Sequence, residues 1–173
     1  MNARLRQAFD KLERQREFLL GHVSQLPAEK YSSSTNNSWS VSEILIHLVT
    51  SERLSVNYMR KKALGIESLK DSGLVEEVKM RLLRLSQRLP FKYKAPTIIT
   101  DHTPAAIPLS TLTTDWDDVR QQLKTFAERM ADNHVRRKVF KHPVAGRLDL
   151  FQAMDFFFEH IQHHWPQIKG LSR

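Results

Sequence analysis

The chain has 173 residues, 40% hydrophobic and 27% charged, a size and balance that fit one domain over residues 1–173 and argue against disorder. No apolar run approaches the roughly 20 residues that span a bilayer. The opening Met-Asn-Ala-Arg-Leu-Arg also lacks the apolar stretch of a secretory signal, so a cytoplasmic protein with no membrane association is expected. With no cysteine present, disulfides and thiolate ligands are excluded, and any metal site must draw on His, Asp or Glu.

Leu5, Ala8, Phe9, Leu12, Leu19 and Leu20 recur at helical spacing and predict a first helix over about 3–22, closed by Gly21 and Pro27. Tyr31 to Ser38 has the polar composition of a loop. Ser40 and Glu43 form a capping-box pattern, with Trp39 and Ile44 at the staple positions, and open a second helix that runs to about Leu64. A long crossover follows from 66 to 114. It holds one short helix over about 73–88, with Leu74, Val78, Leu82 and Leu85 on one side, and then Pro90, Pro96, Pro104 and Pro108. Such a connection suits the wall of a binding cleft.

Thr114 or Asp115 is the expected cap of a third main helix, which buries Trp116, Val119, Leu123, Phe126 and Met130. Asn133 to Arg147, with Pro143 and Gly146, is expected to be loop. Asp149 with Gln152 then caps a last helix that reaches Trp165 or Ile168. The sum is an all-α chain: a four-helix bundle whose long crossover carries an extra short helix between the second and third main helices.

Three histidines stand out against this frame. His160 and His164 are one turn apart on the face that carries Leu150, Ala153, Phe157, Ile161 and Ile168. His47 sits among Ile44, Leu48 and Ser51 on the second helix. Buried imidazoles need partners for their ring nitrogens. A divalent metal would satisfy all three and leave a fourth position open for water or substrate. Ordinary hydrogen-bonded core histidines are the competing reading. His163 is placed at the cleft edge or surface; His22, His102, His134 and His142 are placed in solvent-exposed ends and loops. Glu43, Asp155 and Glu159 are candidate hydrogen-bond partners for ligand rings, although Glu43 serves equally well in the capping box. Trp165, Tyr58 and Phe156 to Phe158 are candidate pocket or core residues.

At these residues the chain resembles a known family. Trp39-Ser-Val-Ser-Glu-Ile-Leu-Ile-His47-Leu, taken with His160-Ile-Gln-His-His164-Trp-Pro-Gln-Ile168, is similar to the DinB/YfiT-like superfamily. Pro90-Phe-Lys-Tyr-Lys-Ala-Pro96 and His142-Pro-Val-Ala-Gly146 fit one branch of it, and the likeness covers about residues 3–168. It implies a four-helix bundle with metal ligands His47, His160 and His164. It also implies a divalent ion (zinc first, with nickel or iron also suited to three imidazoles) and, as in some relatives, a low-molecular-weight thiol cofactor.

The functional expectation is a divalent-metal-dependent enzyme, such as a thiol S-transferase acting on a small-molecule substrate. A metal-dependent hydrolase or a non-catalytic ligand- or metal-binding bundle are the alternatives. A homodimer is allowed. The charge of +8 gathers in two basic stretches, Lys79 to Lys94 and Arg136 to Arg147. Neither carries a nucleic-acid recognition motif, so a solvated face is favoured over nucleic-acid binding.

Overall fold

The computed structural model describes residues 1–34, 39–87 and 107–173; Arg88, Pro90, Lys92, Lys94, Pro96, His102 and Pro104 lie outside them. The described elements are helices α1 (Ala3–Val23), α2 (Ala28–Ser32), α3 (Val41–Lys62), α4 (Leu74–Gln87), α5 (Leu109–Arg129) and α6 (Leu150–Leu171). A 3-10 segment, Ala63–Ser68, follows α3. A two-stranded hairpin of β1 (Phe140–His142) and β2 (Gly146–Leu148) precedes α6. The architecture is all-α, and no helix among the described residues is long and apolar enough to cross a membrane.

Helix polarity can be read from the side-chain pairs. Arg4 lies over the Phe151 ring, Lys11 over Phe158, and Phe18 beside Trp165. Both partners advance seven residues at a time, so α1 and α6 run parallel. Arg53 meets Asp115 and Arg60 meets Gln122, again seven apart on each side, so α3 and α5 are parallel. Between α1 and α5 the order reverses: Arg16 binds Asp117 while Glu13 reaches Arg120. The bundle is therefore up, down, down, up in the order α1, α3, α5, α6, and the crossover from Ala63 to Pro108 is what allows two consecutive main helices to point the same way.

Both capping boxes form. The Ser40 side chain accepts from the Glu43 N–H while Glu43 accepts from the Ser40 N–H; Asp149 and Gln152 do the same at the start of α6. Helix α5, however, starts at Leu109, five residues before the expected cap. Pro108 supplies a fixed φ of -55° at the N-cap. The Thr113 and Thr114 hydroxyls donate backward to the Leu109 and Ser110 carbonyls instead of capping. Helix α6 also outruns its expected end and carries Pro166 internally to reach Leu171. The stretch expected as loop after Tyr31 starts within a short helix, α2.

The stretch expected as loop before Arg147 contains the hairpin. Phe140 and Leu148 are paired and turn inward, and Gly146 takes φ 80°, which favours glycine. Helix α4 forms where expected, but its apolar side faces outward: Leu74, Val78, Leu82 and Leu85 are exposed, whereas Met80 and Leu83 on the opposite side are buried.

A polar network ties α1, α3 and α5 together inside the core. Glu52 and Arg120 are each 2% exposed and meet through two hydrogen bonds, at 2.7 and 2.8 Å; the Trp116 indole N–H donates to the same carboxylate at 3.0 Å. Glu13 adds a second carboxylate to Arg120 at 3.3 Å. Removing one partner strands a buried charge. Glu52→Ala or Arg120→Ala should each lower the unfolding free energy by about 3–5 kcal/mol. Replacing both with apolar residues of similar volume should recover much of that loss. Urea titration of the three variants checks it, and a single-variant cost below about 1 kcal/mol would contradict the network's place in the core.

Candidate metal centre

Because α3 is antiparallel to α6, the N-terminal half of α3 lies beside the C-terminal half of α6. His47 is in the second turn of α3, and His160 and His164 are in the third and fourth turns of α6. The chain separation of 113 residues between His47 and His160 closes to 3.0 Å between their Nε2 atoms. One ligand atom from each of His47, His160 and His164 lies within 4.8 Å of the others. For metal–nitrogen bonds of about 2.0–2.1 Å, tetrahedral neighbours stand about 3.3 Å apart. The observed spacings bracket that value.

The rings form a mutual cage. His47 contacts His160 and His164 edge-on, with centroids 4.9 and 5.0 Å away, and His160 and His164 are 5.1 Å apart. Trp39 closes one side, 5.0 Å from the His47 ring and stacked over His164 at 6.4 Å. Phe156, one turn before His160, stacks on that imidazole at 5.3 Å. His47 and His164 are buried, and His160 is partly exposed.

This burial disfavours the imidazolium form and sets the charge state. It lowers His47 to about 4, helped by the nearby His163, and His164 to about 3, helped by His47 and His163. Burial also pushes His160 well below 6.5, with His164 and His47 adding to the effect. All three rings are thus uncharged at neutral pH, the form in which imidazole ligates a metal.

Two nitrogens facing each other at 3.0 Å can share at most one proton between them, and the His47 Nδ1 is buried without a hydrogen-bond partner. A cation among the three lone pairs suits this donor set, which contains neither thiolate nor carboxylate.

The neighbours expected to orient the ligands are arranged differently. The Glu43 carboxylate accepts from the Ser40 N–H and hydroxyl, so it belongs to the capping box and not to His47. Asp155 and Glu159 both pair with Arg84 of α4. Gln167, three residues after His164, faces the His164 Nδ1 at 3.3 Å, a partner that i,i+3 spacing would have revealed. Phe157 is core and Trp165 packs on Phe18 and His22 of α1; Tyr58 is exposed and Phe158 receives Lys11.

His163 is half-buried, its ring 5.0 Å from that of His164. His22 and His134 are partly buried, not solvent-exposed as expected: His22 is hydrogen-bonded to Ser172, and the Glu67 carboxylate lies 3.1 Å from the His134 Nε2.

His142 is the larger correction. It is 7% exposed, its Nδ1 accepts from the Val144 and Ala145 N–H groups, and its ring lies 4.5 Å from Phe156, so it connects the hairpin to the triad through one aromatic side chain. Burial lowers it to about 4. A loop assignment concealed it, since a His-Pro dipeptide before Gly146 carries no burial signal in its own periodicity.

A family model for the DinB superfamily matches residues 11–168. Among curated proteins, the chain is 28% identical over 134 residues to the uncharacterised protein YuaE of Bacillus subtilis (strain 168), covering 78% of this chain and 77% of that one. No solved structure matches.

The depressed histidines dictate a pH response. In the unfolded chain they titrate near 6.5 and in the folded chain near 4 or below, so the unfolded state binds more protons between these values. Stability is complete above about 6.5 and is lost as pH falls toward 4. From pH 6.5 to 5, above the ordinary carboxylate range, each such ring should remove about 1.5 kcal/mol from the metal-free protein. His142→Gln, which keeps an acceptor for the hairpin amides, should flatten the slope. Urea unfolding at both pH values tests it, and a flat wild-type profile would refute neutral burial.

Proposed function

On the premise that the chain belongs to the DinB superfamily, we propose that it is a divalent-metal-dependent enzyme that activates a low-molecular-weight thiol for transfer to a small electrophilic substrate. The observation that carries the reading is the convergence of three uncharged imidazoles, from two helices, on one point. His47, His160 and His164 would hold the ion, with zinc the first choice and nickel or iron the alternatives. When bound, such an ion supplies Lewis acidity that lowers the pKa of a coordinated thiol or water toward neutrality.

The chain's own residues supply the rest. Gln167 fixes the His164 ring through Nδ1, which leaves Nε2 for the ion. Trp39 and Phe156 hold the His47, His164 and His160 planes and exclude water from their side of the cage. The partial exposure of His160 gives solvent and small molecules a way in. Beyond its own rings the triad meets an amide, Gln167, and the Glu43 carboxylate is committed to the capping box. A thiol is acidic enough to ionise near neutral pH once coordinated, without help from a protein base.

Protein purified without a histidine tag should contain about one equivalent of divalent metal per chain by elemental analysis, and His160→Ala should retain less than about a tenth of it. Metal-loaded wild type should conjugate glutathione, bacillithiol or mycothiol to a model electrophile, and His47→Ala should lose at least about a hundred-fold in rate while keeping its helical spectrum. Full metal loading with no turnover across the thiol panel would reduce the protein to a metal-binding bundle. Hydrolysis of ester substrates in place of conjugation would make it a hydrolase. Absence of metal binding would remove the reading altogether.

A further inference from the structure

Three cations of the second basic stretch, Arg136, Arg137 and Lys138, are paired with acids from the start of α4 and the residues just before it. Arg137 pairs with Asp71 at 3.5 Å, Lys138 with Glu76 at 2.8 Å and Arg136 with Glu77 at 3.5 Å. The backbone fastens the same two segments together, since the Lys138 N–H donates to the Lys70 carbonyl and the Ser72 N–H to the Arg136 carbonyl. Beside this strap is a cavity of about 390 Å³ lined by Ser68, Leu69, Lys70, Glu76, Lys79, Lys138 and Arg147.

Four of those seven residues are cations, drawn from four separate parts of the chain. Glu76, the one acid in the lining, is already engaged by Lys138 and by the Gly73 N–H. Lys70, Lys79 and Arg147 have no carboxylate partner among the described residues. Lys70, Lys79 and Arg147 are exposed, and the like charges left over after the Lys138–Glu76 pair repel one another, an interaction that a bound anion reverses.

We propose that this cavity binds a small phosphate-bearing molecule. Its volume falls in the range of small-ligand sites. The Arg147 guanidinium can fork onto two phosphate oxygens while the lysine ammoniums act as point charges on the others. Leu69 and the lysine stems offer an apolar wall to the organic part of the ligand. Charges that converge on one cavity suit a compact anion, whereas a nucleic-acid strand needs cations spread along a groove. None of the lining residues belongs to the histidine cage, so the two readings stand or fall separately.

The test is a titration of inorganic phosphate into the full chain at low salt, followed by amide chemical shifts. Shifts should saturate and should cluster at residues 68–70, 138 and 147. Lys79→Ser/Arg147→Ser should weaken the apparent Kd about ten-fold or more. Lys61→Ser/Lys124→Ser, which removes the same charge from exposed positions elsewhere, should change it less than about two-fold. If the first double variant fails to fold, Lys79→Gln alone should still weaken binding about three-fold. His47→Ala should bind phosphate as the wild type does. Shifts that never saturate, that spread over the surface, or that weaken equally in the charge-matched control would overturn the site.

Discussion

The antiparallel apposition of α3 and α6 is the constraint from which the candidate site follows. A ligand set drawn from positions 47, 160 and 164 exists only if the second turn of one helix faces the later turns of the other. Two features hold that alignment. The aromatic and cation–π pairs between α1 and α6 set their parallel register at three successive levels. The buried Glu52–Arg120 pair, with Trp116, fixes α3 against α5. Ion pairs of this kind specify an arrangement more than they add stability. A slipped register would strand both buried charges, which excludes it.

The sequence made the helices and the triad legible for physical reasons that also explain its failures. Period 3.6 and side-chain caps are local signals, so α1, the two capping boxes and the His160/His164 face were readable from neighbouring residues alone. The choice of cap for α5 was not. A threonine before an amphipathic run can cap or can bond backward, and only the Pro108 conformation decides between the two. For α4 the periodicity located the helix but not its buried side, because two stripes compete and the one with Met80 and Leu83 faces the bundle.

Residues that act across the bundle carried no sequence signal. Glu52 and Arg120 are separated by 68 positions and look like ordinary solvated charges on amphipathic helices. His142 sits in a segment whose alternation is only three residues per strand, too short to distinguish from a turn. Trp39 was readable as a helix staple, but its contacts with His47 and His164 depend on where α6 passes.

The remaining question is why the domain gathers three buried histidines, His47, His142 and His164, around the partly exposed His160. Each ring is held uncharged by burial, and the mutual proximity of the triad deepens that depression. Ordinary core residues of the same volume would fold without the penalty at mildly acid pH, and without an unpartnered Nδ1 on His47. Natural sequences depart from local consistency chiefly where a site demands it. The departure here is concentrated: the triad, His142 and the rings of Trp39 and Phe156 form one contiguous patch, whereas the buried Glu52 and Arg120 elsewhere in the core satisfy each other. A destabilising cluster confined to one place, built from the one side chain that is both neutral at pH 7 and a strong metal donor, is best accounted for by a cation that offsets its cost.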